Sequence, residues 1–401
     1  MSEGLAEAKR ALLSLIGGQP PRCDPRPLDW REVFEMAAAH RLEPFLAWRL
    51  ERGDCSAPST VAASWREARR RGALLGLAHQ AALRLALDRL GASHVPVVAL
   101  KGVALAWRYY PEPSLRPMRD LDVLVPAERA LEAAELLADA GFARESADPR
   151  VLADALAASH ELPSQRHPRL GVTIELHHRL TDPPHRRGYF MPQLSAPDVL
   201  ARAVAVDCGG LGVPCPSPQD LAAHLIVHAA YGHRFDCGPL VLADLHFLSA
   251  DPTIDWARLR EDAQRQGWAR GFDLLLALTS RWFGSSSGGF EPPPDPILDA
   301  AEQALVPDPA ARHQTLAAAD FAGARTPAAI ARAVARRLAP GPEVVASEGG
   351  GRPMAAFWPV WATRRIARLA GGLADRRARS EAQATARVMR WLEAGAQFSG
   401  H

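Results

Sequence analysis

Lysine is nearly missing from this 401-residue chain: only Lys9 and Lys101 occur, and every other strong base is arginine. Cysteine is scarce too. Cys23, Cys55, Cys208, Cys215 and Cys237 are odd in number, scattered, and form no C-x-x-C pair. That usage fits a reducing cytoplasm rather than a disulfide framework. There is no run of about 18–20 uncharged apolar residues, so no membrane span is expected. Residues 1–19 interleave Glu3, Glu7, Lys9 and Arg10 through a short amphipathic pattern, unlike a secretory signal. Neither sign of charge dominates: 47 basic residues against 45 acidic ones leave a net charge of +2. A global electrostatic signature of nucleic-acid binding is therefore absent. With 48% hydrophobic and 23% charged residues the composition is that of a soluble globular protein, long enough for two or three packed units.

What is present is concentrated between residues 95 and 180. Arg119-Asp120-Leu121-Asp122-Val123-Leu124-Val125 reads as a strand. Side chains alternate faces along a strand, so Leu121 and Val123 point into a core while Asp120 and Asp122 point together into a cleft. Two like charges held that close call for a cation between them, and oxygen ligands favour Mg²⁺, with Mn²⁺ as a substitute. Residues 172–177, Val-Thr-Ile-Glu-Leu-His, repeat the pattern, with Thr173, Glu175 and His177 on one face. If this strand lies beside the first, Glu175 completes a three-carboxylate cluster able to hold two metal ions for an in-line displacement, the chemistry of nucleotidyl or phosphoryl transfer. Upstream, residues 95–100 form a short apolar run, hence a buried strand, ending in the turn Lys101-Gly102. Gly102 lets backbone approach a phosphate there, and the compact Lys101 ammonium meets one where a guanidinium fork would not fit. Arg116 and Arg119 flank the acidic strand and are candidates for neutralising phosphate charge.

The rest of the chain reads as helices around this segment. We expect a helical N-terminal segment over 1–92, with Asp29 capping a helix from Trp30 to Leu50 and a long helix over 61–90. The α/β core spans 93–210. It holds a helix over 103–109, a proline-rich loop over 110–118, a helix over 127–140 stopped by Gly141, and an antiparallel pair over 161–166 and 172–178. A hairpin around Gly209-Gly210 leads into a helical subdomain over 211–284 lining the cleft. There Ser217 caps a helix to Tyr231, followed by helices over 238–249, 255–266 and 268–283. Residues 285–294 read as a linker. A C-terminal helical region follows over 295–401, with a flexible Gly/Pro stretch at 340–353 and many arginines beside Trp358, Trp361 and Trp391. His224 and His228 sit one turn apart on the capped helix. They are expected to line the acceptor pocket together with His177; a zinc site, lacking the metalloprotease glutamate, is the lesser reading.

These motifs resemble the bacterial family of uncharacterised nucleotidyltransferases, within the polymerase-beta-like nucleotidyltransferase superfamily. The resemblance rests on Leu100-Lys101-Gly102, Tyr110-Pro111, Arg116-Pro117-Met118, Asp120-Leu121-Asp122 and Glu175-Leu176-His177. It is dense over about 95–180, thins toward about 270, and departs from the superfamily in having Lys101-Gly102 where Gly-Ser is usual. It implies an α+β fold: a small mixed sheet with helices, flanked by N- and C-terminal helical segments. It also implies an Mg²⁺-dependent enzyme that moves a nucleoside monophosphate from an NTP to an acceptor, releasing pyrophosphate. Asp120, Asp122 and Glu175 are then the catalytic metal ligands, and Lys101, Gly102, Arg116 and Arg119 the nucleotide contacts. The acceptor (small molecule, peptide, protein or RNA) and the oligomeric state are not legible. Two alternatives are an RNA-modifying, toxin-like transferase using the C-terminal arginines and a non-catalytic ligand-binding protein on the same scaffold.

Overall fold

The structure, a computed structural model, describes residues 3–18, 28–184, 189–284, 289–309 and 354–396, with scattered positions between 312 and 339. At its centre lies a five-stranded mixed sheet. Its strands are β1 (Val98–Ala99), β2 (Asp120–Leu124), β3 (Ala143–Arg144), β4 (Gln165–His167) and β5 (Val172–His177), in the order β1-β2-β5-β4-β3. β2 and β5 run parallel; the other neighbours are antiparallel. The parallel pair needs a crossover, and helices Ala130–Asp139 and Pro149–Ala158 lie on it. Leu121, Val123, Ile174 and Leu176 are all buried, so alternation along both strands drives one sheet face into the core as expected.

The strand expected over 95–100 is shortened to two residues. Val95 N–H instead closes the end of helix Ser59–Ala92 on Leu90 O at 3.0 Å, and Pro96 has no N–H to donate. At its other end, Lys101 turns the chain away with φ 41° and ψ −102°.

Local signals set several other elements. Asp29 caps helix Trp30–Ala39 by accepting from the N–H groups of Arg31 and Glu32. Ser217 caps helix Pro218–Val227 by accepting from Asp220 N–H. The hairpin of β6 (Val204–Asp207) and β7 (Gly212–Cys215) turns through Gly209 and Gly210, both at positive φ. Three further helices (Leu240–Leu248, Trp256–Arg265 and Ala269–Phe283) match their expected positions.

Three expected helices differ. Trp30–Leu50 is not continuous: it breaks into Trp30–Ala39 and Glu43–Glu51 around Arg41, which sits at φ 56°. Leu42 N–H closes on Ala37 O at 2.9 Å, the long bond of a helix-ending turn, and Pro44 opens the next helix. A residue with a Cβ in that conformation costs about 1–2 kcal/mol, so tertiary contacts hold it there. The other two end in wide, π-type turns, Leu105–Tyr109 and His228–Gly232. Such turns insert an extra residue and re-aim side chains, often at functional positions.

One apolar core runs from Leu5 through the sheet to Leu392. First and last helices are joined by a buried ion pair, Lys9 to Glu381 at 2.5 Å. The Glu381 carboxylate also accepts from Asp308 N–H and Thr315 Oγ1. The C-terminal arginine-rich stretch forms two helices, Met354–Ala374 and Arg376–Ala396. The stretch 340–353 lies outside the described residues, as does part of 285–294. Among the described residues, no helix is long and apolar enough to cross a membrane.

Candidate active site

Pairing of β2 with β5 sets the site. The register places Asp120 opposite Thr173 and Asp122 opposite Glu175. Asp120, Asp122 and Glu175 leave the sheet on the face away from the core and border a cavity of about 600 Å³. Lys101, Gly102, Arg116, Arg119, Asp120, Asp122, Glu175 and His228 all line it. His177 and His224 are fully buried outside that lining.

The carboxylates are held in unequal states. Burial works against the Asp122 charge, but Lys101 and His177 overcome it and keep this carboxyl well below the usual range. Lys101 Nζ donates to Asp122 Oδ1 at 2.8 Å, and His177 Nε2 lies 2.9 Å from the same oxygen. Glu175 is pushed up to about 8 by burial and by the negative charges of Glu161, Asp120 and Asp122. Asp120 is raised by burial and by Asp122. One donor atom each from Asp122, Glu175 and His177 lies within 4.8 Å of the others, and this group does not include Asp120. Oxygen donors from Asp122 and Glu175 and the nitrogen of His177, gathered this closely with repelling carboxylates, are a set that fits a divalent ion.

The bases around the cavity divide into paired and unpaired. Arg116 is committed: its guanidinium makes two 3.0 Å bonds to Asp244, which also accepts from Tyr110 Oη at 2.7 Å. Gly102 lies beneath it, where a Cβ would stand 2.8 Å from Arg116 Nη1 and 2.9 Å from Met118 Cγ, so a larger residue would push these two side chains aside. Arg312 bonds Asp236 at 2.9 and 3.0 Å. By contrast, Arg41 and Arg119 line the cavity and pair with no carboxylate among the described residues. Burial and the charges of Arg119 and Arg116 lower Arg41 to about 10, so a positively charged corner faces the acidic one.

The capped helix brings its histidines near the site. His228 starts the π-type turn and stacks edge-on with His224 (5.7 Å between centroids) and His233 (4.3 Å). Burial and the Lys101 charge hold His224 and His228 well below the usual imidazole range. Neither belongs to the histidine–carboxylate groups that could hold a metal among the described residues.

Reading the sequence missed Arg41, His160, Glu161 and Asp182, all of which line this cavity. Arg41 was assigned to a helix interior. A signal for it existed in Pro44, which marks a new helix start. The strand expected over 161–166 is instead Gln165–His167, so Glu161 keeps only an isolated bridge to His177 and, with His160, turns to the cavity.

A family model described as "Uncharacterised nucleotidyltransferase" matches residues 26–284. No curated protein matches the chain.

Proposed function

This chain belongs to the family of uncharacterised nucleotidyltransferases, and from that membership we propose that it transfers a nucleoside monophosphate from an NTP to an acceptor. The acceptor oxygen attacks the α-phosphorus, the bond from that phosphorus to the bridging oxygen breaks, and pyrophosphate leaves. The observation that carries this is the β2/β5 register. It sets Asp122 against Glu175 on the face of a parallel pair that borders a cavity also lined by Arg41 and Arg119, which pair with no carboxylate among the described residues. We read the mixed sheet as a polymerase-beta-like core on the same ground.

Asp120, Asp122 and Glu175 would hold Mg²⁺, which when bound neutralises charge on the reacting phosphate. Glu175 would hold the ion that activates the acceptor oxygen or, ionised and without that ion, would take the proton of the acceptor hydroxyl as its general base. Lys101 keeps Asp122 ionised and in position, and His177 supports the same oxygen from behind. Arg41 and Arg119 hold the departing phosphates by charge-assisted hydrogen bonds. Catalysis is then mostly positioning and electrostatics.

The test is to incubate the protein with each α-labelled NTP, Mg²⁺ and cell extract, and to identify what becomes labelled. An Asp120→Asn/Asp122→Asn double variant should lose the labelling. Wild-type labelling by that variant would mean the chemistry lies elsewhere. No labelling with any NTP would rule out the reaction class.

A further inference from the structure

The rim of the cavity carries two donors that the transfer reaction leaves unused, beside the buried His177. His160 and Glu161 stand beside the end of β5, where the backbones of Glu161 and His177 are bridged. Glu161 Oε2 lies 3.6 Å from His160 Nε2 and 3.5 Å from His177 Nε2. One donor atom from each of the three falls within 4.8 Å of the others. Those separations are long for hydrogen bonds. They are close to the spacing of ligand atoms around a four-coordinate metal, about 3.4 Å for bonds of about 2.1 Å.

Asp182 completes the arrangement from behind. Its buried carboxylate is 2.5 Å from His160 Nδ1 and accepts from the His160 backbone N–H at 3.0 Å. Holding the proton on Nδ1 turns the Nε2 lone pair toward Glu161, an orientation that a carboxylate oxygen disfavours and a cation rewards. A carboxylate behind the far nitrogen is also the usual support of a metal-bound histidine.

The geometry points to a second metal site, built from His160, Glu161 and His177, that takes a nitrogen-preferring divalent cation such as Zn²⁺ rather than Mg²⁺. Two imidazoles and one carboxylate leave the fourth position open. Binding takes His177 Nε2 from its 2.9 Å bond to Asp122 Oδ1 and moves its proton to Nδ1, which is buried without a partner. That unpaired N–H weakens the site roughly tenfold or more against an ordinary zinc centre. The inference does not depend on the transfer reaction.

Co²⁺ is the probe. Titrated into the metal-free full-length protein, one equivalent should develop the intense visible absorption of four-coordinate cobalt, and one equivalent of Zn²⁺ should bleach it. His160→Ala and Glu161→Gln should each abolish the colour, with circular dichroism confirming that the variants fold. Glu175→Gln should keep it while losing nucleotidyl transfer, which separates this site from the Asp122, Glu175 and His177 group. A colourless titration, or colour that persists in either His160→Ala or Glu161→Gln, overturns the assignment. So does colour lost with Glu175→Gln, because the cation then belongs to the carboxylate face.

Discussion

Replacing Lys101 with alanine removes the ammonium that donates to Asp122 Oδ1 at 2.8 Å. A carboxylate only 7% exposed is left beside Asp120 and Glu175. Breaking a buried pair by removing one partner costs about 3–5 kcal/mol, because the remaining charge stays desolvated. Here the loss is smaller, since His177 still donates to the same oxygen at 2.9 Å. We expect the metal-free variant to lose about 2–3 kcal/mol. Alanine retains a Cβ, so it relieves none of the strain at φ 41°. Saturating Mg²⁺ should then return more stability to the variant than to the wild type, by about 1–2 kcal/mol, because in the wild type the ammonium competes with the cation for Asp122. Urea unfolding at matched ionic strength, with and without Mg²⁺, measures both quantities. A variant as stable as wild type, or equal stabilisation of both proteins by Mg²⁺, would refute the view of Lys101 as counter-ion of the metal-free site.

Protons and cations should compete at Glu175, raised to about 8. A carboxyl raised above its unfolded value, about 4.3, stabilises the metal-free fold at low pH, and that contribution is lost as pH rises through about 8. Mg²⁺ affinity runs the other way, climbing up to about tenfold per pH unit below about 8 and levelling above; calorimetric titrations across pH should show that slope vanish in Glu175→Gln. Arg41→Ala should weaken NTP and inorganic tripolyphosphate binding about 10- to 100-fold, the worth of a charged hydrogen bond, while nucleoside monophosphate binding holds. Equal loss for all three ligands would place Arg41 elsewhere than at the β- and γ-phosphates.

The acidic strand, its partner and the helix caps were legible because each depends on neighbours within a few residues. Leu121 and Val123 alternate with Asp120 and Asp122 by backbone geometry alone, and Ser217 needs only the N–H of Asp220 to cap its helix. What sequence could not decide is which distant groups share a charge. Lys101, expected to meet a phosphate, lines the cavity and donates to Asp122; Arg116, expected at the nucleotide, lines it with its guanidinium bonded to Asp244. None of Arg41, His160, Glu161 and Asp182 carries a motif: Arg41 reaches the cavity through a helix break, His160 and Glu161 through the parallel crossover, and Asp182 from the segment after β5. The alternation that aims two carboxylates at one face is local and period two, so sequence by itself determined it. The partners that set each group's protonation and freedom are fixed by through-space distance, and only the tertiary structure decides that.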